Sequence, residues 1–481
     1  MKQFITFITE LNSTVNGFVW GPIMLVFFLF VGLMFTIRTN FFQITQFKKW
    51  FNVTFLQIFK NKKVRKTKDK HAISQFQSLC TALAATIGTG NIAGVATAIT
   101  VGGPGAIFWM WLSAFLGMMT NYAENTLGIK YRYKDEKGQW IGGAMIYMER
   151  GLKIKWLAKT LAIVFSIFCV VASFGIGNMT QVNSIATGLQ SSFNLNPIIT
   201  AVLLMVFVSL VIIGGIKRIA SVTEKIVPFM AVFYILGGLI IIGCNVAEVP
   251  HAFGLIFGEA FNFKAAGGGI VGYGIAQAMK NGIARGVFSN EAGLGSSVMV
   301  HSASDVKEPV VQGMWGVFEV FADTLVVCTI TALIILTSGV YDMDTYLVAI
   351  GNGTEVLNGA PLTSASFAAT IPYSDKFVSI ALILFAFSTV LGWSFYGERA
   401  VTYLFGRKGV LPYKIIFVAA IYLGCTASLD LVWDISDTFN GLMAIPNLIA
   451  ITILSGEVVK MTKDYLKRVK EGKEDINGND K

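Results

Sequence analysis

The sequence contains little charge for its length. Only 14% of its 481 residues are Asp, Glu, Lys or Arg, whereas 54% are hydrophobic and the mean hydropathy is +0.64. Soluble domains average about 25% charged residues, so this chain lacks the polar residues to cover itself in water. The composition excludes a disordered chain and a disulfide framework, and it disfavours an ordinary cytosolic protein.

Cysteine and histidine are scarce as well. The five cysteines are far apart, without a Cys-x-x-Cys pair or a metal-ligand spacing to a histidine, so we expect them to be core residues. The three histidines, His71, His251 and His301, are predicted to lie in loops. A membrane protease or zinc enzyme needs a nucleophile with a base, or a histidine cluster, at membrane depth. The sequence offers neither, which argues against an enzyme.

Long hydrophobic runs are what the sequence has in abundance. A helix that crosses the hydrocarbon core needs about 20 mostly apolar residues. Eleven windows qualify, near residues 18–37, 74–101, 104–128, 157–188, 196–216, 224–246, 269–299, 312–337, 376–404, 413–432 and 438–458. The first is too long for a cleaved signal peptide and leads into a basic stretch, so we expect it to be retained. The sequence thus predicts an all-α, polytopic membrane protein with about 11 transmembrane helices.

The positive charges concentrate in alternate loops between these windows. One side holds 33 of the 38 lysines and arginines, whereas the other holds only Lys2, Lys264 and Lys376. Because cytoplasmic loops carry such an excess, we predict a cell (inner) membrane protein with its N-terminus outside and its C-terminus in the cytoplasm. The basic stretch 48–70 is explained by topology and lipid headgroups. We do not expect it to bind nucleic acid, because it contains no recognisable base-reading motif.

The second span contains three glycines in seven residues, at Gly88, Gly90 and Gly94. Each costs a helix about 1 kcal/mol relative to alanine. Unwound backbone survives at membrane depth only where protein or a water-filled cavity satisfies its polar groups. The alternative is close packing of helices through Gly90 and Gly94. The neighbouring Thr89 and Asn91 favour a polar site.

The seventh span is interrupted in a similar way. Its stretch 282–295 carries Arg285, Asn290 and Glu291 among four glycines, and such groups do not face lipid cheaply. Arg285 and Glu291 either neutralise each other or serve as gating charges. Two interrupted helices at matching positions of oppositely oriented halves are typical of a secondary transporter's midplane site. We therefore predict one leading helix followed by a 5+5 inverted repeat, spans 2–6 and 7–11.

The repeats divide the chain into four parts. An N-terminal transmembrane helix with a basic cytoplasmic loop occupies 1–73, the first repeat 74–249 and the second repeat 250–459. The remaining residues, 460–481, form a polar cytoplasmic tail that we expect to be frayed.

Several motifs in these spans resemble the alanine or glycine:cation symporter family, also called sodium:alanine symporters. They are IGTGNIAG at 87–94, PGAIFWMW at 104–111, GNMTQVNS at 177–184, RGVFSNEAGLG at 285–295 and LGWSFYGE at 391–398. The resemblance covers most of the chain. It implies the leucine-transporter-like fold, coupling to sodium or in some members to protons, and small amino acids such as alanine and glycine as substrates.

Similarity to this fold implies two adjoining sites at the first break. The amides of Thr89 and Gly90, at a half-helix start, would hold a substrate carboxylate, and the Asn91 side chain would contact the cation or the substrate. Sodium would lie between backbone carbonyls of the first half-helix and hydroxyls of span 9, at Ala84, Ile87, Ser388 and Thr389. The alternative for the hydroxyls is a bond to the i−4 carbonyl of their own helix.

Further polar and aromatic residues complete the predicted site. Gln181 matches the family's Gln-x-Asn-Ser pattern and is expected to contact substrate, although an amide at membrane depth also bridges helices. Phe288 and Trp393 are candidates for the walls of a small side-chain pocket that excludes larger amino acids. Single aromatic residues in a chain with 13% aromatics are also commonly packing residues.

The acidic residues of the spans have two interpretations. Glu319 and Asp323 lie four residues apart, hence on one helix face, and form either a proton or cation site or ion pairs with Arg285 or Lys280. Glu124 is near the cytoplasmic end of span 3, where we expect it to be hydrated.

The function predicted from the sequence is sodium-coupled symport of a small amino acid, alanine and/or glycine, into the cell by alternating access. Proton-coupled symport by the same fold, through Glu291, Glu319 or Asp323, is the alternative. An ion channel is less expected, because channels usually repeat a pore ring by oligomeric symmetry, whereas this chain shows an internal inverted pair. Partners are the substrate, sodium and the lipid bilayer, without nucleic acid. Alanine and glycine, and the L and D forms, stay open.

Overall fold

The computed structural model describes residues 2–261, 271–427, 430–473 and 478. Within these ranges the chain is almost entirely helical, and its one sheet is a short antiparallel pair, β1 (Tyr133–Lys134) with β2 (Trp140–Ile141). Lys264, predicted to face the outside, lies outside the described residues, as do residues 269–270 of the seventh predicted span and 428–429 of the tenth. The all-α class predicted from the sequence is confirmed.

The bounds of the helices follow the hydrophobic runs closely. The α-helices of the described residues are α1 Lys2–Val19, α2 Pro22–Arg38, α3 Phe42–Thr45, α4 Phe47–Phe51, α5 Gln57–Lys60, α6 Lys62–Arg65, α7 Gln75–Thr86, α8 Val95–Gly102, α9 Gly105–Tyr131, α10 Ala144–Gly151, α11 Lys155–Phe174, α12 Thr180–Phe193, α13 Pro197–Ile212, α14 Gly215–Cys244, α15 Val249–Glu259, α16 Val271–Asn290, α17 Val298–His301, α18 Pro309–Val320, α19 Thr329–Thr337, α20 Met343–Gly351, α21 Gly359–Thr370, α22 Asp375–Phe405, α23 Val410–Thr426, α24 Asp430–Ile453 and α25 Ser455–Lys470. Wider π-helical turns occupy Asn52–Leu56, Gly90–Gly94, Gly175–Met179 and Phe321–Cys328, and 3₁₀ turns occupy Val246–Glu248 and Arg407–Gly409.

Each predicted span coincides with one of these helices or with a consecutive pair. The segments long and apolar enough to cross a bilayer are Thr6–Arg38, Lys155–Phe193, Gly215–Cys244, Pro309–Thr337, Asp375–Phe405 and Arg407–Thr426. Two further spans qualify as bent pairs, Gln75–Thr86 with Gly90–Gly102 at 51° and Val432–Ile453 with Ser455–Lys470 at 57°. The polytopic membrane architecture is confirmed. The count of eleven spans and the inverted repeat stay predictions.

The second span is broken where the glycines predict a break. Its first half, α7, begins at a reciprocal cap in which Ser74 Oγ accepts from the Gln77 amide (3.1 Å) and Gln77 Oε1 accepts from the Ser74 amide (3.0 Å). The helix ends at Thr86, and helical structure resumes at Gly90. Because glycine weakens a helix, the chain unwinds between these points, and its freed backbone groups need partners within the protein.

The centre of the molecule is α9, which packs against α2, α8, α10, α16 and α18. Residues 116–129 of this helix are all buried, so its inner half is enclosed by protein on every side. Polar side chains in such a position must find hydrogen-bond partners. Further polar groups therefore lie in the core as hydrogen-bond partners of Asn121, Glu124 and Asn125.

The tail predicted to be frayed is helical as far as Lys470. In α25, Thr462 and Tyr465 are buried three residues apart on one face, and the Thr462 hydroxyl bonds to that of Tyr122 in α9 (2.7 Å). The expectation of a frayed tail is therefore wrong for residues 460–470, because an amphipathic face docks this helix on the core. Residues 474–477 and 479–481 lie outside the described residues.

Candidate functional site

The candidate site is built around the break between α7 and α8. The amide of Gly88 donates to Asn91 Oδ1 (2.9 Å), so a backbone group freed by the break finds a side-chain partner. A Cβ on Gly88 would lie 2.5 Å from Thr389 Oγ1, whereas a Cβ on Gly94 would meet no atom within 4 Å. Gly94 therefore makes no close helix contact of the kind that small-residue packing requires. The break brings polar groups together instead.

The residues predicted to bind sodium are brought together on one side of this break. Ser388 Oγ and Thr389 Oγ1 lie 3.3 and 3.1 Å from the carbonyl oxygen of Ala84. Both hydroxyls also lie within bonding distance of the Phe385 carbonyl, at 2.8 and 3.0 Å, so the bond within their own helix is present as well. Ile87, the residue that follows α7, is buried. This arrangement concentrates carbonyl and hydroxyl oxygens, the ligands that hard cations prefer.

A small cavity of about 20 Å³ adjoins the break. It is far smaller than the roughly 300–1,000 Å³ of pockets for drug-sized ligands. The residues that line it come from both broken spans and from α12, α22 and α24, and they are Ala85, Thr86, Gly88, Thr89, Gly90, Ile176, Gln181, Phe288, Glu291, Thr389, Trp393 and Asn440. Every residue predicted to bind substrate is among them except Asn91.

Thr89 and Gly90 form the helical start that faces this cavity. Both are buried, and the helical structure that begins at Gly90 continues through α8 to Gly102. A helix start presents amide hydrogens with partial positive charge. The cavity wall on this side therefore suits an anionic group.

Two amide side chains face the cavity with an oxygen that has no hydrogen-bond partner among the described residues. Gln181 donates from Nε2 to the carbonyl of Ile176 (2.9 Å), and its Oε1 is buried without a partner. Asn440 Oδ1, from α24, is also buried without one. An unsatisfied buried acceptor costs about 1–3 kcal/mol, so this wall suits a ligand that donates hydrogen bonds.

Asn440 is a residue that the sequence analysis missed. It belongs to no quoted motif and lies near the start of the eleventh predicted span. The one signal for it was the rule that polar side chains at membrane depth are functional candidates by default.

Aromatic side chains form the remaining walls. Trp393 packs against Gly177, where a Cβ would collide with the indole side chain, and a Cβ on Gly90 would lie 3.3 Å from the Phe288 ring. Both aromatic residues line the cavity. Each is therefore held by a glycine of another span, so the cavity has little freedom to widen at these points.

A second polar cluster joins the two broken spans through Asp323. Asn91 donates from Nδ2 to Asp323 Oδ1 (2.7 Å), and Ser289 donates to Asp323 Oδ2 (2.9 Å). Thr324 also donates to Asp323 Oδ2 (2.7 Å), and the Asp323 side chain is fully buried. Asp323 sits in the π-helical turn Phe321–Cys328, which follows α18. Ser289 lies in the RGVFSNEAGLG motif at 285–295, but the sequence predicted no role for it.

Glu319 faces a different set of partners. Its Oε2 lies 2.9 Å from His301 Nε2 and accepts from Asn121 Nδ2 (3.2 Å), and its Oε1 has no partner among the described residues. Of the two interpretations of Glu319 and Asp323, ion pairing with Arg285 or Lys280 is wrong for the described residues. Asp323 accepts from neutral donors, whereas Glu319 contacts His301 and Asn121.

His301 also corrects the expectation that the histidines lie in loops. It ends the short helix α17 and is fully buried, with Gln312 Nε2 beside its Nδ1 (2.5 Å). His251 lies within α15, and His71 is the one of the three outside a helix. Buried Glu124 likewise contradicts the expectation of a hydrated carboxylate, since its Oε1 accepts from Asn447 Nδ2 (2.5 Å).

Arg285 and Glu291 do not neutralise each other. The Arg285 guanidinium is 3.9 Å from Asp437 Oδ2 and 5.3 Å from the centre of the Phe288 ring. Glu291 instead accepts from Ser296 Oγ (2.5 Å) and adopts a left-handed backbone with φ 57°. The long Arg285–Asp437 separation makes a weak contact, so Arg285 remains a candidate for a gating charge beside the cavity.

Comparison with known proteins shows the family of this chain. The family model described as the sodium:alanine symporter family matches residues 5–479. The chain is 49% identical to the sodium/alanine symporter AgcS of Methanococcus maripaludis, over 95% of this chain and 97% of that protein. It is 38% identical to a putative sodium/proton-dependent alanine carrier protein, YrbD, of Bacillus subtilis, over 96% and 94%.

The fold has a counterpart among solved structures. The crystal structure of MhsT in complex with L-phenylalanine superposes with a TM-score of 0.52 at 15% identity, covering 82% of this chain and 93% of that one. At this identity the likeness shows the fold alone, which is the leucine-transporter-like fold. The family and these relatives are membrane transporters that couple an amino acid to a cation, and not enzymes. The chain belongs to the sodium:alanine symporter family.

Proposed function

We propose that this protein carries a small amino acid, alanine or glycine, into the cell together with sodium. The observation that carries the proposal is the short distance, at most 3.3 Å, between the Ala84 carbonyl oxygen and the hydroxyls of Ser388 and Thr389, next to a small cavity. Cation and amino acid would then bind on the two sides of one helix break. Occupation of both sites stabilises the same arrangement of the break, which couples the two solutes.

The cavity walls support an amino-acid zwitterion as the substrate. The helix start at Thr89 and Gly90 favours the carboxylate, and the unpartnered oxygens of Gln181 and Asn440 accept from the ammonium group. Trp393 and Phe288 limit the space for the side chain. A cavity of about 20 Å³ favours glycine or alanine over residues with long side chains.

Alternating access follows from two broken spans in oppositely oriented halves. The 51° bend at residues 87–89 allows one half of the span to move while the other stays packed. We propose that one helix bundle rocks against the other, between outward-open and inward-open states. The inverted repeat, the outside N-terminus and the cytoplasmic C-terminus are parts of this proposal, and the distribution of 33 cations supports them.

The test is uptake into proteoliposomes that contain the purified full chain. An inward sodium gradient should drive uptake of labelled alanine or glycine, and replacing sodium by potassium should abolish it. Competition by the L and D forms of alanine then defines the stereochemistry. Gradient-independent uptake would contradict symport.

Proton coupling is the second candidate, and the buried carboxylates favour it. Glu291, Glu319 and Asp323 are each at most 3% exposed, and Glu319 has a histidine partner. Such groups take up or release a proton when their surroundings change. A pH gradient in sodium-free buffer that drives uptake in the native protein, but not in Glu319→Gln or Asp323→Asn, would establish this mode in place of sodium coupling.

A further inference from the structure

A second, larger cavity lies away from the transport site. It has a volume of about 770 Å³ and lies between β1, α10, α11 and the C-terminal end of α22. Arg399 of α22 and Lys159 of α11 both line it. Neither cation is needed for the substrate or sodium sites proposed above.

Arg399 has an unusual environment for a guanidinium group. It is partly buried, and its contact among the described residues is with the face of the Phe395 ring, 4.7 Å from the guanidinium carbon to the ring centre. It has no hydrogen bond or ion pair within the described part of the chain. Since a guanidinium carries five donors, a partly buried one without an acceptor is suited to an anion.

The nearby carboxylates are occupied by other partners. Asp135 pairs with Arg407, and Glu398 pairs with Lys414 at 2.9 Å. Glu149 bonds to the Tyr403 hydroxyl. The cavity is lined by three cations, Lys159, Arg399 and Arg407, and two carboxylates, Asp135 and Glu149, so its formal net charge is +1. Among the described residues Arg407 is paired with Asp135, whereas Arg399 and Lys159 have no ion pair.

The cavity wall next to these cations is apolar and partly exposed. Ile163 and Ile167 follow Lys159 at intervals of four residues and so continue on the same face of α11. Ile167 is 45% exposed, and Phe405 at the end of α22 is 71% exposed. Trp156, 72% exposed near the start of α11, is placed as aromatic residues are at a membrane interface.

We propose that this cavity binds an anionic phospholipid of the cytoplasmic leaflet. The phosphodiester accepts hydrogen bonds from Arg399 and is attracted by the positive charge of Lys159. An acyl chain of the lipid lies along Ile163 and Ile167. Basic pockets between transmembrane helices on the cytoplasmic side bind lipid headgroups in this way. The assignment to the cytoplasmic leaflet rests on the proposed orientation, in which α11 begins and α22 ends at the cytoplasmic face. Lipid binding itself does not depend on which solute the protein transports.

The proposal is tested by titrating phosphatidylglycerol into the detergent-solubilised full chain and counting bound lipids by native mass spectrometry. Phosphatidylcholine and inorganic phosphate serve as the other two probes. We expect phosphatidylglycerol to bind in preference to both. Equal binding of phosphatidylcholine, or displacement of the lipid by millimolar phosphate, would overturn a site for an anionic lipid.

Variants locate the site within the molecule. Arg399→Gln should weaken phosphatidylglycerol binding about tenfold or more, because it removes charge-assisted bonds, and Lys159→Gln about fivefold, as for one cation near a membrane surface. Lys408→Gln removes an equal charge just outside the cavity and should leave binding unchanged. If Arg399→Gln does not fold, the surface variant Lys159→Gln carries the test. Native affinity in the variants that fold would refute the proposal, whether or not sodium drives uptake.

Discussion

Replacing Thr389 by valine is the sharpest test of the proposed sodium site. Valine keeps the shape of threonine and removes only the hydroxyl that lies 3.1 Å from the Ala84 carbonyl and 3.0 Å from the Phe385 carbonyl. Both carbonyls keep Ser388 as a neighbour, at 3.3 and 2.8 Å. The fold should therefore lose only about 1 kcal/mol, the net value of an ordinary buried hydrogen bond.

The loss in sodium affinity should be larger than the loss in stability. An interaction with a charged partner contributes about 1.5–3 kcal/mol, and 1.4 kcal/mol corresponds to a factor of ten. We therefore expect the sodium concentration that half-saturates alanine uptake to rise between about tenfold and about a hundredfold. The assay is initial uptake into proteoliposomes over a range of external sodium at saturating alanine.

Thr337→Val is the matched control for this experiment. Thr337 is also buried and donates to the carbonyl four residues before it, Leu333 (2.8 Å), but it does not line the cavity at the break. The control should show the same small loss of stability and an unchanged sodium dependence. An unaltered half-saturation in Thr389→Val, or equal shifts in both variants, would refute the role of Thr389 as a sodium ligand.

Three further variants test the other parts of the site. Gly88→Ala should abolish transport, because the new Cβ would lie 2.5 Å from Thr389 Oγ1. Gly94→Ala should retain transport, because no atom lies within 4 Å of its new Cβ. Equal uptake by the two variants would show that the break tolerates a side chain at residue 88. Gln181→Leu should raise the half-saturating alanine concentration about tenfold or more at unchanged sodium affinity, since a buried acceptor for the ammonium is lost, and titration calorimetry with alanine measures this directly. Trp393→Ala should admit leucine as a competitor of alanine uptake, and continued exclusion of leucine would mean that Trp393 does not limit substrate size.

The fold was largely predictable because a lipid surrounding imposes strong constraints on sequence. A spanning segment must be apolar and long, so the windows found in the sequence coincide with helices even where the helices are broken. The break in the second span was predictable for the same reason, since three glycines at membrane depth are tolerated only beside polar partners. The amphipathic α25 escaped prediction because its composition is polar and only its periodicity, with Thr462 and Tyr465 on one face, revealed docking.

The partners of the charged groups were not predictable from spacing. Glu319 and Asp323 are four residues apart, yet the π-helical turn that begins at Phe321 separates their surroundings. His301 reaches Glu319 because α17 turns back into the core after the second break. A hydropathy window averages the polarity of residues that are neighbours in sequence. It contains no information on which side chains from different helices contact each other.

Asp323 leads us to expect that the two broken spans move together during the proposed alternating access. It accepts from Asn91, next to the first break, and from Ser289, just before the second. The Asn91 oxygen accepts from the Gly88 amide, so two hydrogen bonds through this one side chain connect the carboxylate to the backbone that adjoins the cavity. A fully buried carboxylate that loses a donor pays about 1–3 kcal/mol or more. We therefore expect the movement of either broken span alone to break one of these hydrogen bonds. Its cost is similar to the coupling free energy between two ligands of an allosteric protein, about 1–3 kcal/mol. Movement of both spans together would keep the hydrogen bonds from Asn91 and Ser289 to Asp323.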